Sequence, residues 1–127
     1  MVRVGYQHFA FLGDESGWSA EASECAAEQN AFWEYHDALF ANQSGENQGA
    51  FNKDKLKGFA ADLGLDSAAF DECLDSGKYA TLVANQTQYL QSLGVQSTPT
   101  FVVNGQALVG AQPFEAFQQL IDSELNK

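Results

Sequence analysis

The sequence predicts an α/β protein: a small sheet with helices packed against it, and a helical block over residues 17–93. Three observations carry this. The chain opens on a loosely alternating segment, continues at helical spacing as far as Leu93, and closes with two short apolar runs around Asn104-Gly105 before a last amphipathic stretch. The expected order is strand, four or five helices, strand, strand, helix.

Val2, Val4 and Tyr6 lie on one side of residues 2–9, and Arg3 and Gln7 on the other, which predicts a strand of about six residues. Turn residues from Gly13 to Gly17 precede a helix that Ser16 or Gly17 opens and that ends near Asn42. Within it Trp18, Ala22, Cys25, Ala26, Phe32, Trp33, His36, Leu39 and Phe40 recur three and four apart. Glu28-Gln29-Asn30 interrupts that stripe and divides the helix near Asn30. Residues 42–51, with Gly45 and Gly49, read as a loop. Asn52 caps a helix with Leu56, Phe59, Ala60 and Leu63 on its apolar side, stopped by Gly64; Asp66 caps a shorter one with Phe70, Cys73 and Leu74, broken at Ser76-Gly77. Residues 78–93 carry Tyr79, Leu82, Val83, Gln86, Tyr89 and Leu90 at helical spacing before Gly94. Phe101–Val103 and Gln106–Val109 flank Asn104-Gly105, the signal for a tight antiparallel hairpin. Pro113 opens a final helix whose apolar face is Phe114, Phe117, Leu120, Ile121 and Leu125.

Composition bounds the function. A chain of 127 residues with 45% hydrophobic residues makes one folded domain, here 1–127 with 13–93 as a helical subdomain. No apolar run reaches the length of a membrane span. With 17 acidic against 6 basic residues and Arg3 the only arginine, the net charge of -11 excludes nucleic-acid binding and repels an anionic membrane surface. The N-terminus lacks the basic, apolar and small-residue regions of a signal peptide. Two cysteines without a neighbouring histidine do not make a metal site, and no cofactor is implied. By themselves Cys25 and Cys73 fit either two buried thiols or a disulfide. Glu21, Glu24 and Glu28 read as a solvated helix face, His8 as structural and His36 as a hydrogen-bonded core histidine.

Residues 93–110, Leu-Gly-Val-Gln-Ser-Thr-Pro-Thr-Phe-Val-Val-Asn-Gly-Gln-Ala-Leu-Val-Gly, resemble the closing half of a thioredoxin fold, in which a Thr-Pro pair precedes the third core strand. His8–Leu12, Glu24–Gln29, Phe32–Phe40 and Val109–Pro113 extend the resemblance toward the DsbA-like thiol-disulfide oxidoreductases, with Ala10 where a proline is common. The resemblance implies a cis bond before Pro99 and a substrate-binding edge at Thr98, Pro99 and Thr100. It also implies a structural disulfide between Cys25 and Cys73, extended or unfolded polypeptides as partners, and an extracytoplasmic setting.

That family's chemistry resides in a Cys-x-x-Cys at a helix start after the first core strand, and this sequence has no such motif. The similarity begins at the second core strand, so the fold expected is an incomplete thioredoxin-like one with a large helical insertion. No catalytic residue is assigned. The chain reads as a fragment or remnant of a disulfide oxidoreductase, inactive in isolation. The alternatives are a non-catalytic peptide-binding or chaperone-like module and a glutathione-dependent isomerase-like protein. Open sheet edges lead us to expect a homodimer or higher oligomer.

Overall fold

Helix starts and stops in this chain are set by single residues. A computed structural model describes residues 1–127 and contains α1 (Asp14–Ala27), α2 (Phe32–Ala41), α3 (Lys53–Asp62), α4 (Ser67–Asp75), α5 (Ala80–Ser92), β1 (Thr100–Val103), β2 (Gln106–Val109) and α6 (Phe114–Leu125). The side chain of Asn52 accepts from Lys55 N–H at 2.9 Å and that of Asp66 from Ala69 N–H at 3.1 Å, so both expected caps satisfy a free first-turn donor. The long helix does divide at Asn30, which takes a left-handed φ of 59°. Ala31 N–H returns to Ala26 C=O and Asn30 N–H to Ala27 C=O, the paired bonds of a Schellman stop. Gly64, Gly77 and Gly94 close α3, α4 and α5 through the same pair of bonds. The first helix begins at Asp14, earlier than Ser16, because the loop around Asn47 caps it from 32 residues away: Asn47 Oδ1 accepts from Glu15 N–H.

The chain divides into two compact units, His8–Tyr89 and Met1–Gln7 with Leu90–Lys127. The helical unit holds the core. Ala22, Cys25, Ala26, Tyr35, Leu56, Ala60, Phe70 and Leu74 are buried there, ringed by Trp18, Leu39, Phe51, Phe59 and Leu65. Alanines at 22, 26 and 60 let backbones approach, while Tyr35 and Phe70 fill the space between, ring centroids 5.5 Å apart. The Tyr35 hydroxyl donates to the backbone carbonyl of Leu56 at 2.8 Å, giving a buried polar pair its partner.

The other unit is a hairpin with a helix. β1 and β2 pair antiparallel in the register Thr100↔Val109, Phe101↔Leu108, Val102↔Ala107 and Val103↔Gln106. Asn104 and Gly105 both have positive φ, 48° and 86°, as a two-residue turn of matching twist requires. Phe101 meets Phe117 of α6 edge to face at 4.8 Å. Glu124 accepts from Asn104 Nδ2 at 3.2 Å and Gln106 Nε2 at 2.6 Å, fastening α6 to the turn.

The opening strand expected over residues 2–9 is not formed. The only sheet is β1-β2, and Val2 and Val4 are more than half exposed. Alternation alone cannot make a strand; a neighbouring segment must supply the ladder, and none pairs with these residues. No helix is long and apolar enough to cross a membrane.

Tyr35→Phe removes the side-chain bond to the Leu56 carbonyl, which keeps its partner within α3, and should cost about 0.5–1.5 kcal/mol in urea unfolding at unchanged m-value.

Candidate functional site

The loop after α5 leads into β1 through exposed Thr98 and Pro99, joined by a cis peptide bond. Thr100 is half-buried and its hydroxyl donates to Ser97 C=O at 2.7 Å, closing the turn. Gly110 N–H donates to Pro99 C=O at 2.8 Å, which carries the hairpin ladder one step past β1. Residues alternate along such a ladder in which side they bond. Because Val103 and Gln106 flank a two-residue turn, Val103, Phe101 and Pro99 bond toward β2. Thr100 and Val102 therefore turn their N–H and C=O groups to the other side, where no strand lies. An open edge of this kind can receive an extended chain by exchange of main-chain hydrogen bonds.

Cys25 of α1 and Cys73 of α4 form a disulfide with Cα atoms 5.9 Å apart, and no free cysteine remains. Both are buried. The Thr98–Thr100 loop and the disulfide belong to different units.

His8 is buried in a polar knot. Its backbone N–H donates to Gln86 Oε1 at 2.9 Å, and its Nε2 lies 2.7 Å from Glu24 Oε1. Two residues on, Ala10 N–H donates to the Thr87 hydroxyl at 3.0 Å, which itself donates to Val83 C=O. These bonds anchor residues 8–10 to α5. His36, expected in the core, is instead half-buried: its ring packs near Trp33 and Phe40, and Nδ1 lies 3.0 Å from Asp37 Oδ1. It lies on the rim of α2 because Tyr35, one residue earlier, takes the inward position.

The solvated face expected for Glu21, Glu24 and Glu28 is also revised. Glu24 meets His8, while Glu28 receives hydrogen bonds from Lys78 and from the Tyr79 hydroxyl. The hydrogen bond from Lys78, then that from Tyr79, holds the Glu28 carboxyl below its usual range. Donating to Glu28 pushes the Tyr79 phenol up to about 12. Partial burial raises Glu21, with Lys53 opposing.

Sequence reasoning missed Glu15. It is buried, and its carboxylate accepts from Gly49 N–H at 2.8 Å and Phe51 N–H at 2.7 Å, holding the long loop onto α1. A first-turn acidic residue carries no sign of a partner 34 residues away, so no local pattern could have found it. No group of histidine, cysteine and acidic residues suited to a metal ion is present.

A family profile described as Thioredoxin matches residues 1–123. The chain belongs to that family. Within the thioredoxin family it is 28% identical over 131 residues to a probable disulfide bond formation protein D of Bacillus cereus, an alignment covering 99% of this chain and 59% of that protein. It is 37% identical over 105 residues to Na(+)/H(+) antiporter NhaA 1 of Salinispora arenicola, covering 83% of this chain and 15% of the antiporter. The solved structure of a thioredoxin-like oxidoreductase from Silicibacter pomeroyi superposes with a TM-score of 0.78 at 23% identity, over 96% of this chain and 68% of that one. The fold is the thioredoxin-like α/β arrangement in which helices precede two strands and a last helix. The chain spans less than two thirds of the length of these curated relatives.

Two measurements check the helical unit. Reducing the Cys25–Cys73 bond opens a loop with a sequence separation of 48 and should cost about 4 kcal/mol on the chain-entropy account, read by urea unfolding with and without reductant. Glu28→Gln should return Tyr79 toward the ordinary phenol value of about 10 in a difference titration of phenolate absorbance. Stability in that variant should also lose two pH-dependent parts. One is present above the ordinary carboxylate range and fades as acid titrates the lowered Glu28; the other is present below about 10 and fades toward 12.

Proposed function

We propose that this chain is the substrate-facing part of a thiol-disulfide oxidoreductase acting on extended or unfolded polypeptides, and that alone it does not oxidise dithiols. The observation that carries the reading is the open edge of β1 beside exposed Thr98 and Pro99, which offers main-chain groups to an extended chain. Similarity over 99% of the chain to a protein named for disulfide bond formation supports it. In this reading Thr98, Pro99 and Thr100 bind substrate, residues 13–93 are the helical insertion, and Cys25–Cys73 is structural. The setting is extracytoplasmic, where such a bond persists.

Exchange needs a thiolate to attack a disulfide sulfur. Both cysteines here are spent on one buried bond, so the chain has no cysteine thiolate to offer. The chain's own part is to hold a polypeptide extended along β1 while exchange takes place.

Refolding of a reduced, unfolded protein with a stoichiometric amount of the chain should proceed at the uncatalysed rate, followed by thiol titration. Sustained oxidation above background would overturn the inactivity. Binding of an unfolded, alkylated polypeptide should weaken several-fold in Thr100→Pro, which removes an outward N–H; unchanged binding would overturn the assignment of the edge.

A further inference from the structure

The turn between β1 and β2 carries reactive groups of its own. Of the seven asparagines in the chain, Asn104 alone precedes a glycine. Both Asn104 and Gly105 are exposed. Asparagine is thermolabile because the main-chain nitrogen that follows it can attack its side-chain amide carbon. A side chain on the following residue hinders that approach, and glycine has none. The space beside Gly105 is open as well: a Cβ placed there would meet no atom within 4 Å. Its N–H is not needed by the ladder, whose last pair is Val103↔Gln106.

The same amide also fastens α6. Asn104 Nδ2 donates to Glu124 Oε2 at 3.2 Å, and Gln106 Nε2 and Lys127 Nζ each donate to Glu124 Oε1 at 2.6 Å. The Glu124 side chain is only 9% exposed. The hydrogen bond from Lys127, then that from Asn104, holds its carboxyl below the usual range, so it is charged at neutral pH. We propose that Asn104 is a site of spontaneous deamidation, and that the product loosens α6 from the hairpin turn. The Gly105 nitrogen bonds to Asn104 Cγ, the bond from Cγ to Nδ2 breaks, and ammonia leaves with the proton that Gly105 gives up. Water then opens the cyclic imide at either carbonyl, to an aspartyl residue or to an isoaspartyl one linked through the side chain. An ionised carboxylate at this position has no hydrogen to give Glu124. It sets like charges in contact where little water screens them. The isoaspartyl product also lengthens the main chain by one carbon, in a turn whose two residues set the strand register. Neither step depends on the exchange reading.

Storage of the chain for some weeks in warm, mildly alkaline buffer tests both steps. Peptide mapping by mass spectrometry should find aspartyl and isoaspartyl products at Asn104. Asn47 and Asn126, also exposed but followed by Gln48 and Lys127, should convert several-fold more slowly. Asn104 left intact, or converting no faster than those two, overturns the site. Hydrogen exchange of the α6 amides should be several-fold faster in Asn104→Asp than in the parent chain. Adding Glu124→Gln to that variant gives the new carboxylate an amide donor and should restore the protection, measured against Glu124→Gln alone. Should Asn104→Asp fail to fold, the aged parent chain, separated from unaged chain by anion exchange, must show the same faster exchange. Unchanged protection in both the variant and the aged chain overturns the loosening of α6. So does faster exchange in Asn104→Asp that Glu124→Gln leaves unrestored.

Discussion

The bond between Cys25 and Cys73 is the constraint around which the helical unit is built. Helices α2, α3 and α4 are 10, 10 and 9 residues long, too short to persist alone in water. Tying α1 to α4 confines α2 and α3 to the loop between them and forces their apolar sides onto the same small volume. Tyr35, Leu56, Ala60 and Phe70 meet there with no exposure. The cross-link therefore acts twice: it restricts the unfolded chain, and it fixes the helix pair against which the other two pack.

Much of this was legible in the sequence wherever structure follows from near neighbours. Asn52 and Asp66 cap helices by bonds to residues three positions away, and Asn104-Gly105 sets its own turn. Such features are decided within a few residues, so reading the chain locally finds them. What spanned distance was lost. Residues 2–9 have the alternation of a strand but no ladder, because pairing depends on a segment elsewhere. Glu24 looked solvated until His8, 16 residues earlier, was seen against it. Glu15 and the amides of Gly49 and Phe51 are more widely separated still. At the Thr98–Thr100 loop, composition and spacing alone said little; the resemblance to a family located it.

The two units are stabilised by different means. The helical one has a buried apolar core, a covalent tie and paired carboxylates, with Glu28 joined to Lys78 and Tyr79 and Glu24 joined to His8. The hairpin unit has its turn, the aromatic contact between Phe101 and Phe117, and the bonds of Glu124. Most of the acidic residues lie in the sequence of the first, and the exposed strand edge belongs to the second. An open ladder commonly goes with recognition, since a surface that must accept a partner cannot already be satisfied.

The grip of Glu15 on the long loop has a consequence for how this chain tolerates change in length. The carboxylate and Asn47 fix the loop from residue 47 to residue 51, while Asn42 is fixed to the end of α2 through its bond to Ala38. Between those two anchors, residues 43–46 are exposed. Extra residues entering there would bulge outward and leave every core contact in place, whereas a single insertion after Asn47 would pull Gly49 and Phe51 off their acceptor. The molecule thus contains a point of free expansion directly beside one of strict register.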